Sequence, residues 1–158
     1  MSDVKIRIGE KADLHDILKL IKELAEYEKA PGEVEVTVAE MENWGFGQEK
    51  IFDFFVAEEN GVTVGLALYY YKYSTWKGKC LFLEDIIVTE AMRSKGIGKL
   101  LFDKIVETAK KDKVRRLEWQ VLEWNEPAIK FYKKYNATLD PEWFNGKLTN
   151  HQLAKLQP

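Results

Sequence analysis

Apolar residues recur along this chain with two different spacings, and each spacing predicts a different kind of element. Steps of three and four residues after Asp13 predict an amphipathic helix that ends at about Tyr27. Asp13 is expected to cap this helix, with Asp16 at its third position. The same spacing predicts another helix from Ile97 to about Lys111.

Shorter apolar runs predict strands between and around these helices. Asn60-Gly61 separates two such runs, and because both central positions of a tight turn need positive φ, this dipeptide predicts a β-hairpin. Asn125-Glu126-Pro127 predicts the start of another helix, since asparagine caps N-termini and proline is tolerated in a first turn. A short helix is predicted from Val38 to about Trp44. The predicted strands are Val4 to Ile8, Phe52 to Glu58, Thr63 to Tyr71, Lys79 to Val88, Leu117 to Val121 and Trp143 to Thr149.

Composition narrows the class of protein. The 158 residues fit a single domain, 1–158, and 46% of them are apolar, which indicates a globular fold. Acidic and basic residues are interleaved and leave a net charge of −2, so neither nucleic acid nor an anionic membrane is an expected partner. Cys80 is the single cysteine, and no apolar run has the length of a signal sequence or a membrane span. We therefore expect a cytoplasmic protein.

The loop before the second long helix carries the strongest chemical signal. A strand leads into Arg93-Ser94-Lys95-Gly96-Ile97-Gly98, and the glycines let the backbone approach a ligand closely. The first N–H groups of a helix are unpaired donors at its positive end, so this loop predicts a pyrophosphate site. Arg93, Lys95 and Lys99 add positive charge. The alternative is a flexible loop with solvated basic side chains. The third glycine of a dinucleotide motif and the ending of a nucleotide P-loop are both absent.

Arg-x-x-Gly-x-Gly after Asp85-Ile86-Ile87-Val88 resembles the acyl-coenzyme A signature of the GNAT acetyltransferase superfamily. That resemblance implies an α+β, or mixed α/β, fold with a mostly antiparallel, splayed central sheet and helices on both faces. Four segments resemble the diamine acetyltransferase branch, which includes spermidine/spermine and thialysine acetyltransferases. They are Leu18 to Glu28, Tyr73 to Gly78, Leu83 to Val88 and Trp124 to Tyr132. Polyamine-acetylating members tend to carry an acid where Ser74 stands, so the form here is more similar to the thialysine type.

The chemistry of amine acetylation needs a proton acceptor and a proton donor. An alkyl amine has a pKa of about 10, so it must lose a proton before it attacks, and the departing thiolate must gain one. Glu84 interrupts an apolar strand, where partial burial is expected to raise its pKa and suit it as the base. Strand residues alternate, so Glu84 and Asp85 are expected to point to opposite faces; Asp85 is the alternative base, amine contact or structural residue. Tyr132 resembles the family's general acid, its alternative role being that of a core residue.

The resemblance also implies binding residues and an assembly. The resemblance implies Tyr27 and Glu28 as the amine-recognition pair. Glu84, Asp85 and Trp76 are further candidate contacts of the amine, Trp76 being alternatively a core or interface anchor. Acetyl-CoA is implied as co-substrate, and no metal site is predicted because His15 and His151 lack ligand spacing. Relatives resemble homodimers that pack through C-terminal segments, and the chain's many aromatic residues also favour an interface. The implied cofactor contacts are Ile86, Ile87 and Val88, then Ser94, Lys95, Gly96, Ile97, Gly98 and Lys99 with Arg93, and finally Asn125, Ala128 and Tyr132.

Two other functions remain open from the sequence. A noncatalytic acyl-CoA-binding module would need the glycine loop but neither Glu84 nor Tyr132. A protein or peptide N-acetyltransferase would need an open groove, whereas the acidic set of amine-binding residues fits a small cation better.

Overall fold

The computed structural model describes residues 3–157 and divides them into two compact units, one up to Gln120 and one from Val121. Among these residues, no helix is both long and apolar enough to cross a membrane. The first unit contains a five-stranded sheet with the strand order β1-β2-β3-β4-β5. Neighbouring strands are antiparallel except β4 and β5, which are parallel. The strands are β1 (Val4–Ile8), β2 (Asp53–Glu59), β3 (Val62–Ser74), β4 (Gly78–Val88) and β5 (Arg116–Trp119).

Helices cover both faces of this sheet. Leu66 of β3 belongs to a buried cluster with residues of α1 and α2, whereas a Cβ on its neighbour Gly65 would lie 3.0 Å from the Leu101 side chain of α3. Because adjacent strand residues face opposite sides, α1 and α2 cover one face and α3 covers the other. The α-helices of the described residues are α1 (Leu14–Tyr27), α2 (Val38–Phe46), α3 (Ile97–Lys111), α4 (Glu126–Lys133) and α5 (Asn150–Lys155).

The hairpin between β2 and β3 confirms the prediction from its turn residues. Asn60 has φ 51° and Gly61 has φ 79°, the left-handed conformations that a tight hairpin turn requires. Across this turn Glu59 pairs with Val62. The first helix and the helix after the glycine loop also lie where the apolar spacing predicts them.

The predicted last strand, Trp143 to Thr149, is wrong. These residues form no strand in the described chain, and α5 begins directly after them, where Thr149 and Gln152 form a reciprocal capping box. Trp143 is 76% exposed and Phe144 is fully exposed. A segment forms a strand only where a neighbouring strand pairs with its backbone, and no strand of the described residues pairs with this one.

Asp13 precedes α1 as predicted, but it does not cap that helix. It has right-handed helical φ and ψ, and its side chain makes no hydrogen bond to the first turn. The carboxylate instead accepts two hydrogen bonds from Arg7, at 2.8 and 2.9 Å, and one of 2.7 Å from the Glu10 N–H. For a carboxylate that is only 7% exposed, the bidentate guanidinium of Arg7 is a stronger partner than a backbone N–H of the first helical turn.

Candidate active site

A β-bulge in β4 brings the two adjacent acids of that strand to one face. Leu68 of β3 lies opposite Asp85, but the next residue, Tyr69, lies opposite Leu83, so Glu84 is the extra residue. Asp85 shares the face of Leu68, which packs on the α1 and α2 cluster. Tyr70, two residues along the same face of β3, donates a hydrogen bond of 2.9 Å to Glu84 Oε2. The expected alternation of Glu84 and Asp85 therefore fails at the bulge.

The bulge also decides which acid is withdrawn from water. Glu84 is exposed, contrary to its expected partial burial, because the extra residue stands out from the ladder. Asp85 is half-buried, and burial, followed by the charges of Glu84 and Glu28, raises the pKa of its carboxyl to about 7. An acid with a pKa near neutrality exchanges a proton readily at the pH of the cell. In its burial and its pKa, Asp85 thus has the properties predicted for Glu84.

The end of α1 lies beside this pair of acids. Glu28 follows the last residue of α1, and partial burial raises the pKa of its carboxyl. Its charge contributes to the raised pKa of Asp85, which places two predicted amine-binding acids within electrostatic reach of each other. Tyr27 lies under the Arg93 guanidinium, 5.2 Å from ring centroid to Cζ. In this way the end of α1 brings the charge of Glu28 near Asp85 and the Tyr27 ring against the loop that follows β4.

One edge of β4 lacks a partner strand where the cofactor is expected. β5 ends at Trp119, which pairs with Leu83, so among the described residues no strand covers that side of residues 84–88. Along residues 86–88, the N–H and C=O groups that point away from β3 have no partner strand. The Val88 carbonyl accepts a hydrogen bond from Arg93 Nε, and the other outward groups need partners from water or a ligand. This separation of β4 from β5 is the splay that the family resemblance implies, and an extended amide chain fits such an edge.

The start of α3 presents open backbone donors. Gly96 precedes the helix with φ 81°, and the first intrahelical hydrogen bond runs from the Leu100 N–H to the Gly96 carbonyl at 3.1 Å. The N–H groups of Ile97, Gly98 and Lys99 therefore have no intrahelical partner. No side chain of the described residues caps them, and no acid stands in the first turn, whereas Thr37 caps α2. An anion such as a pyrophosphate suits these donors.

The basic side chains Arg93 and Lys99 form hydrogen bonds and ion pairs with other residues of the chain. Arg93 Nε donates to the Val88 carbonyl at 3.1 Å, and its guanidinium lies 3.7 Å from Glu23 Oε1. Lys99 pairs with Asp103. The loop's open donors are thus those of the backbone, and its basic side chains must exchange partners to reach an anion.

Glu23 of α1 is a site-adjacent residue that the sequence analysis missed. Its carboxylate accepts hydrogen bonds from the Glu90 N–H at 2.7 Å and from Thr89 Oγ1 at 3.1 Å. Together with the Arg93 contact, these bonds fix the segment that leads from β4 into the glycine loop. The only available signal was its position, one helical turn before Tyr27.

Predicted site residues of the second unit share one helix. Asn125 caps α4 by accepting a hydrogen bond of 3.4 Å from the Ala128 N–H, as its sequence predicts. Tyr132 is 5% exposed and lies edge-on to Phe131, with 5.2 Å between ring centroids. In the first unit, Trp76 lies in the turn between β3 and β4 and is 86% exposed, which excludes a core role. Residues 3–157 contain no group of three acidic, histidine or cysteine side chains arranged to hold a metal.

Comparison with known proteins identifies the fold and the family. The family described as Acetyltransferase (GNAT) matches residues 14–137. The chain belongs to the GNAT acetyltransferase family. Thialysine N-epsilon-acetyltransferase of Bos taurus is 38% identical over 145 residues, which cover 87% of this chain and 85% of that protein. Human spermidine/spermine N(1)-acetyltransferase-like protein 1 is 35% identical over 87% of this chain and 21% of its own length.

A solved structure has the same architecture. An integron cassette protein from the mobile metagenome of V. cholerae has a TM-score of 0.78 and 25% identity, with 96% of each chain covered. These findings confirm the resemblance to the diamine acetyltransferase branch, the GNAT fold and the activity of an N-acetyltransferase, which transfers an acetyl group to an amine. The family uses acetyl-CoA as its co-substrate.

Proposed function

We propose that this GNAT domain, residues 1–158, acetylates a primary amine of a small cationic molecule of the thialysine, lysine-analogue or polyamine type. The observation that carries the proposal is the gathering of Glu28, Glu84 and Asp85 on one face at the β4 bulge. No ion pair within residues 3–157 includes any of these three carboxylates, and together they attract an ammonium group and orient it. Ser74 Oγ accepts hydrogen bonds from the N–H groups of Trp76 and Lys77, so this position shapes a turn and adds no further acid.

The proposed reaction is direct attack of the amine on the acetyl thioester. Glu84 accepts a proton from the ammonium, directly or through water, and the freed nitrogen forms a C–N bond at the acetyl carbon while the C–S bond breaks. Tyr132 gives its proton to the departing thiolate. The second proton that the nitrogen loses as the amide forms returns through water to the Tyr132 phenolate. Asp85 and Glu28 hold the cationic substrate, with Tyr27 and Trp76 as further contacts. Asp85, with its pKa near 7, is the alternative acceptor for the first proton.

Acetyl-CoA is proposed to bind along β4 and at the start of α3. Residues 86–88 offer backbone groups to the pantetheine arm, and the N–H groups of residues 97–99 offer donors to the pyrophosphate, with residues 93–96 around it. Asn125, Ala128 and Tyr132 are proposed contacts on the cofactor's far side.

A glycine substitution tests the cofactor site. A Cβ at Gly98 would lie 3.9 Å from Val88 Cγ2, an ordinary contact, so Gly98→Val is expected to fold. It places a side chain where the phosphate approaches, and we expect the acetyl-CoA dissociation constant to rise at least tenfold, about 1.4 kcal/mol. Gly96 is a poorer test because its φ of 81° strains any side chain. Gly32→Val is the control, since a Cβ there meets no atom within 4 Å; equal affinities would contradict the site.

The activity itself is tested by thiol release from acetyl-CoA with a panel of amines. The panel contains thialysine, lysine analogues, spermidine, spermine and short diamines. Glu84→Gln and Tyr132→Phe are expected to lower turnover by about 10²-fold, the usual contribution of a general base or acid. Glu107→Gln on the exposed face of α3 and Tyr135→Phe are the matched controls. Thiol release by none of these amines would favour the noncatalytic acyl-CoA-binding module, and acetylation of peptides alone would favour the protein acetyltransferase.

We also propose a cytoplasmic location and a homodimer formed through the region after Asn136. Trp143 and Phe144 are exposed, as are Leu148, Leu153 and Leu156 in the same unit, so this segment presents apolar surface that a second copy can cover. Light scattering is expected to give twice the 18.4 kDa mass of the chain. Trp143→Ala with Phe144→Ala should give monomers, whereas Trp76→Ala, at another exposed tryptophan, should not. A monomeric wild type with full activity would exclude this dimer.

A further inference from the structure

Tyr70 is the residue of the acidic face to which no role has yet been assigned. It lies on β3 directly opposite Phe82, which stands two residues before the bulged Glu84, and the two rings stack with centroids 5.4 Å apart at 29°. Its hydroxyl donates to Glu84 Oε2 at 2.9 Å. The stack fixes the ring, and the fixed ring holds the hydroxyl at the carboxylate.

The hydroxyl remains a donor throughout the range in which the enzyme works. Burial, then the hydrogen bond to Glu84 and the charges of Glu84 and Asp85, raise the pKa of Tyr70 to about 12. Tyr70 therefore keeps its proton at neutral pH and offers a neutral O–H donor that does not compete for the amine's proton.

Glu84 needs such support because of where it stands. It is an exposed side chain on the extra residue of a bulge, beside the like charge of Asp85 and in the field of Glu28 from α1. Like charges push its carboxylate away from the face on which the amine is proposed to bind. Lys72, the one basic residue of β3, is paired with Glu118 at 3.2 Å. A hydrogen bond from Tyr70 is the contact that keeps the Glu84 carboxylate in place.

We propose that Tyr70 is a positioning residue, which holds the Glu84 carboxylate in the orientation needed to accept the proton of the amine. This inference rests on the proposed function, and it adds a residue that touches neither acetyl-CoA nor the reacting atoms.

Tyr71 provides a matched control on the opposite face of the same strand. Its hydroxyl is also hydrogen-bonded to a carboxylate, that of Asp112 beyond the end of α3, and its pKa is also raised by burial. Tyr71→Phe and Tyr70→Phe thus remove the same group from adjacent residues of one strand, and only one of these groups belongs to the acidic face.

The test combines kinetics with a double-mutant cycle. Tyr70→Phe keeps the ring stacked on Phe82. It is expected to lower kcat about tenfold, because one hydrogen bond to a charged group is lost. The KM for acetyl-CoA should stay within about twofold of wild type. The acidic limb of the pH profile should move to higher pH, because the ionised carboxylate loses a donor. On a Glu84→Gln background, Tyr70→Phe should cost less than about twofold. Tyr71→Phe should leave kcat and the profile unchanged.

Each outcome separates this role from the proposed function. An active wild type whose rate and pH profile are unaltered by Tyr70→Phe would overturn the positioning role and leave the function intact. An equal loss on the wild-type and Glu84→Gln backgrounds, or an equal loss from Tyr71→Phe, would show that Tyr70 acts only through strand structure. A wild type that releases no thiol with any amine removes the proposed function and this role with it.

Discussion

Asp13 and Asp85 are both aspartates of the first unit that are withdrawn from solvent, but the side chains around them carry opposite charges. Asp13 receives two hydrogen bonds from Arg7 and one from the Glu10 N–H, and these bonds lower the pKa of its carboxyl. Asp85 lies near Glu84 and Glu28, and burial together with these charges raises its pKa to about 7. Within residues 3–157, no cationic side chain forms an ion pair with Asp85.

This difference separates a structural carboxylate from a functional one. The charge of Asp13 is satisfied inside the chain, so its interactions contribute to folding. Asp85 has no such partner within the described residues, so its charge destabilises the free enzyme. We propose that a cation entering from outside satisfies this charge, and that the cation is the amine of the proposed substrate.

The largest expected effect comes from breaking the structural pair. Asp13→Asn should lower the free energy of unfolding by about 3 kcal/mol, because Arg7 loses its bidentate partner at a site with little access to water. Denaturant unfolding at pH 7 measures the change. Asp16→Asn is the control, since Asp16 is exposed and lies 4.0 Å from Lys19, and such pairs contribute about 0.5 kcal/mol or less. Equal losses from both variants would contradict the distinction.

Asp85→Asn should have its main effect on the substrate. Removing one charge from the acidic face is expected to raise the KM for the cationic amine about tenfold, or about 1.4 kcal/mol. The KM for acetyl-CoA should change little, because the proposed cofactor contacts lie on the backbone. Steady-state kinetics with the best amine of the panel measures both constants. A rise confined to acetyl-CoA would place Asp85 outside the amine site.

In the absence of substrate, the same variant should stabilise the protein. The raised pKa of Asp85 means that wild-type stability from this group is present below about pH 4 and is lost as the pH rises to about 7. Asp85→Asn should match wild type at the lower pH and exceed it above neutrality by about 1 kcal/mol, or roughly 2–4 °C in Tm. For Asp13 the sign is reversed, since a lowered pKa gives stability that is lost on acidification. Thermal melts from pH 4 to pH 8 compare Asp85→Asn with Asp13→Asn. A wild type more stable than Asp85→Asn at pH 8 would contradict the proposed destabilisation by the Asp85 charge.

Sequence patterns predicted most of the fold because the elements are locally encoded. The spacing of apolar residues in α1 and α3 and the turn residues Asn60-Gly61 act within a few positions of each other, and the structure confirms them. The predicted strand from Trp143 to Thr149 fails because strand formation depends on a distant partner strand, which the residues of the segment itself do not report.

The site was predicted less completely than the fold, for a similar reason. Glu84 and Asp85 are visible as acids in an apolar run, but the bulge that places them on one face is a property of the pairing of β3 with β4. Alternation therefore wrongly placed the two acids on opposite faces, and the apolar run around Glu84 wrongly predicted its partial burial. Tyr70 and Glu23 carry no motif, and only long-range contacts connect them to the site.

Glu23 is intermediate between Asp13, which has a cationic partner, and Asp85, which has none within residues 3–157. Its carboxylate accepts short hydrogen bonds from a backbone N–H and a hydroxyl, but its contact with Arg93 is longer. The Glu90 N–H and Thr89 Oγ1 lie at 2.7 and 3.1 Å, while the half-exposed Arg93 guanidinium lies at 3.7 Å. Glu23→Gln keeps a hydrogen-bond acceptor but removes the charge. The loss to the loop should therefore be small, about 0.5 kcal/mol, as for an exposed ion pair.

We expect Glu23→Gln to raise the KM for acetyl-CoA about twofold, because the segment leading to the glycine loop becomes less well fixed. The KM for the amine and the free energy of unfolding should stay close to wild type. Glu26→Gln, on the exposed side of the same helix, is the control. The sign of the effect is decisive: tighter binding of acetyl-CoA would mean that Glu23 withholds Arg93 from the pyrophosphate, whereas weaker binding means that Glu23 holds the loop in its binding conformation.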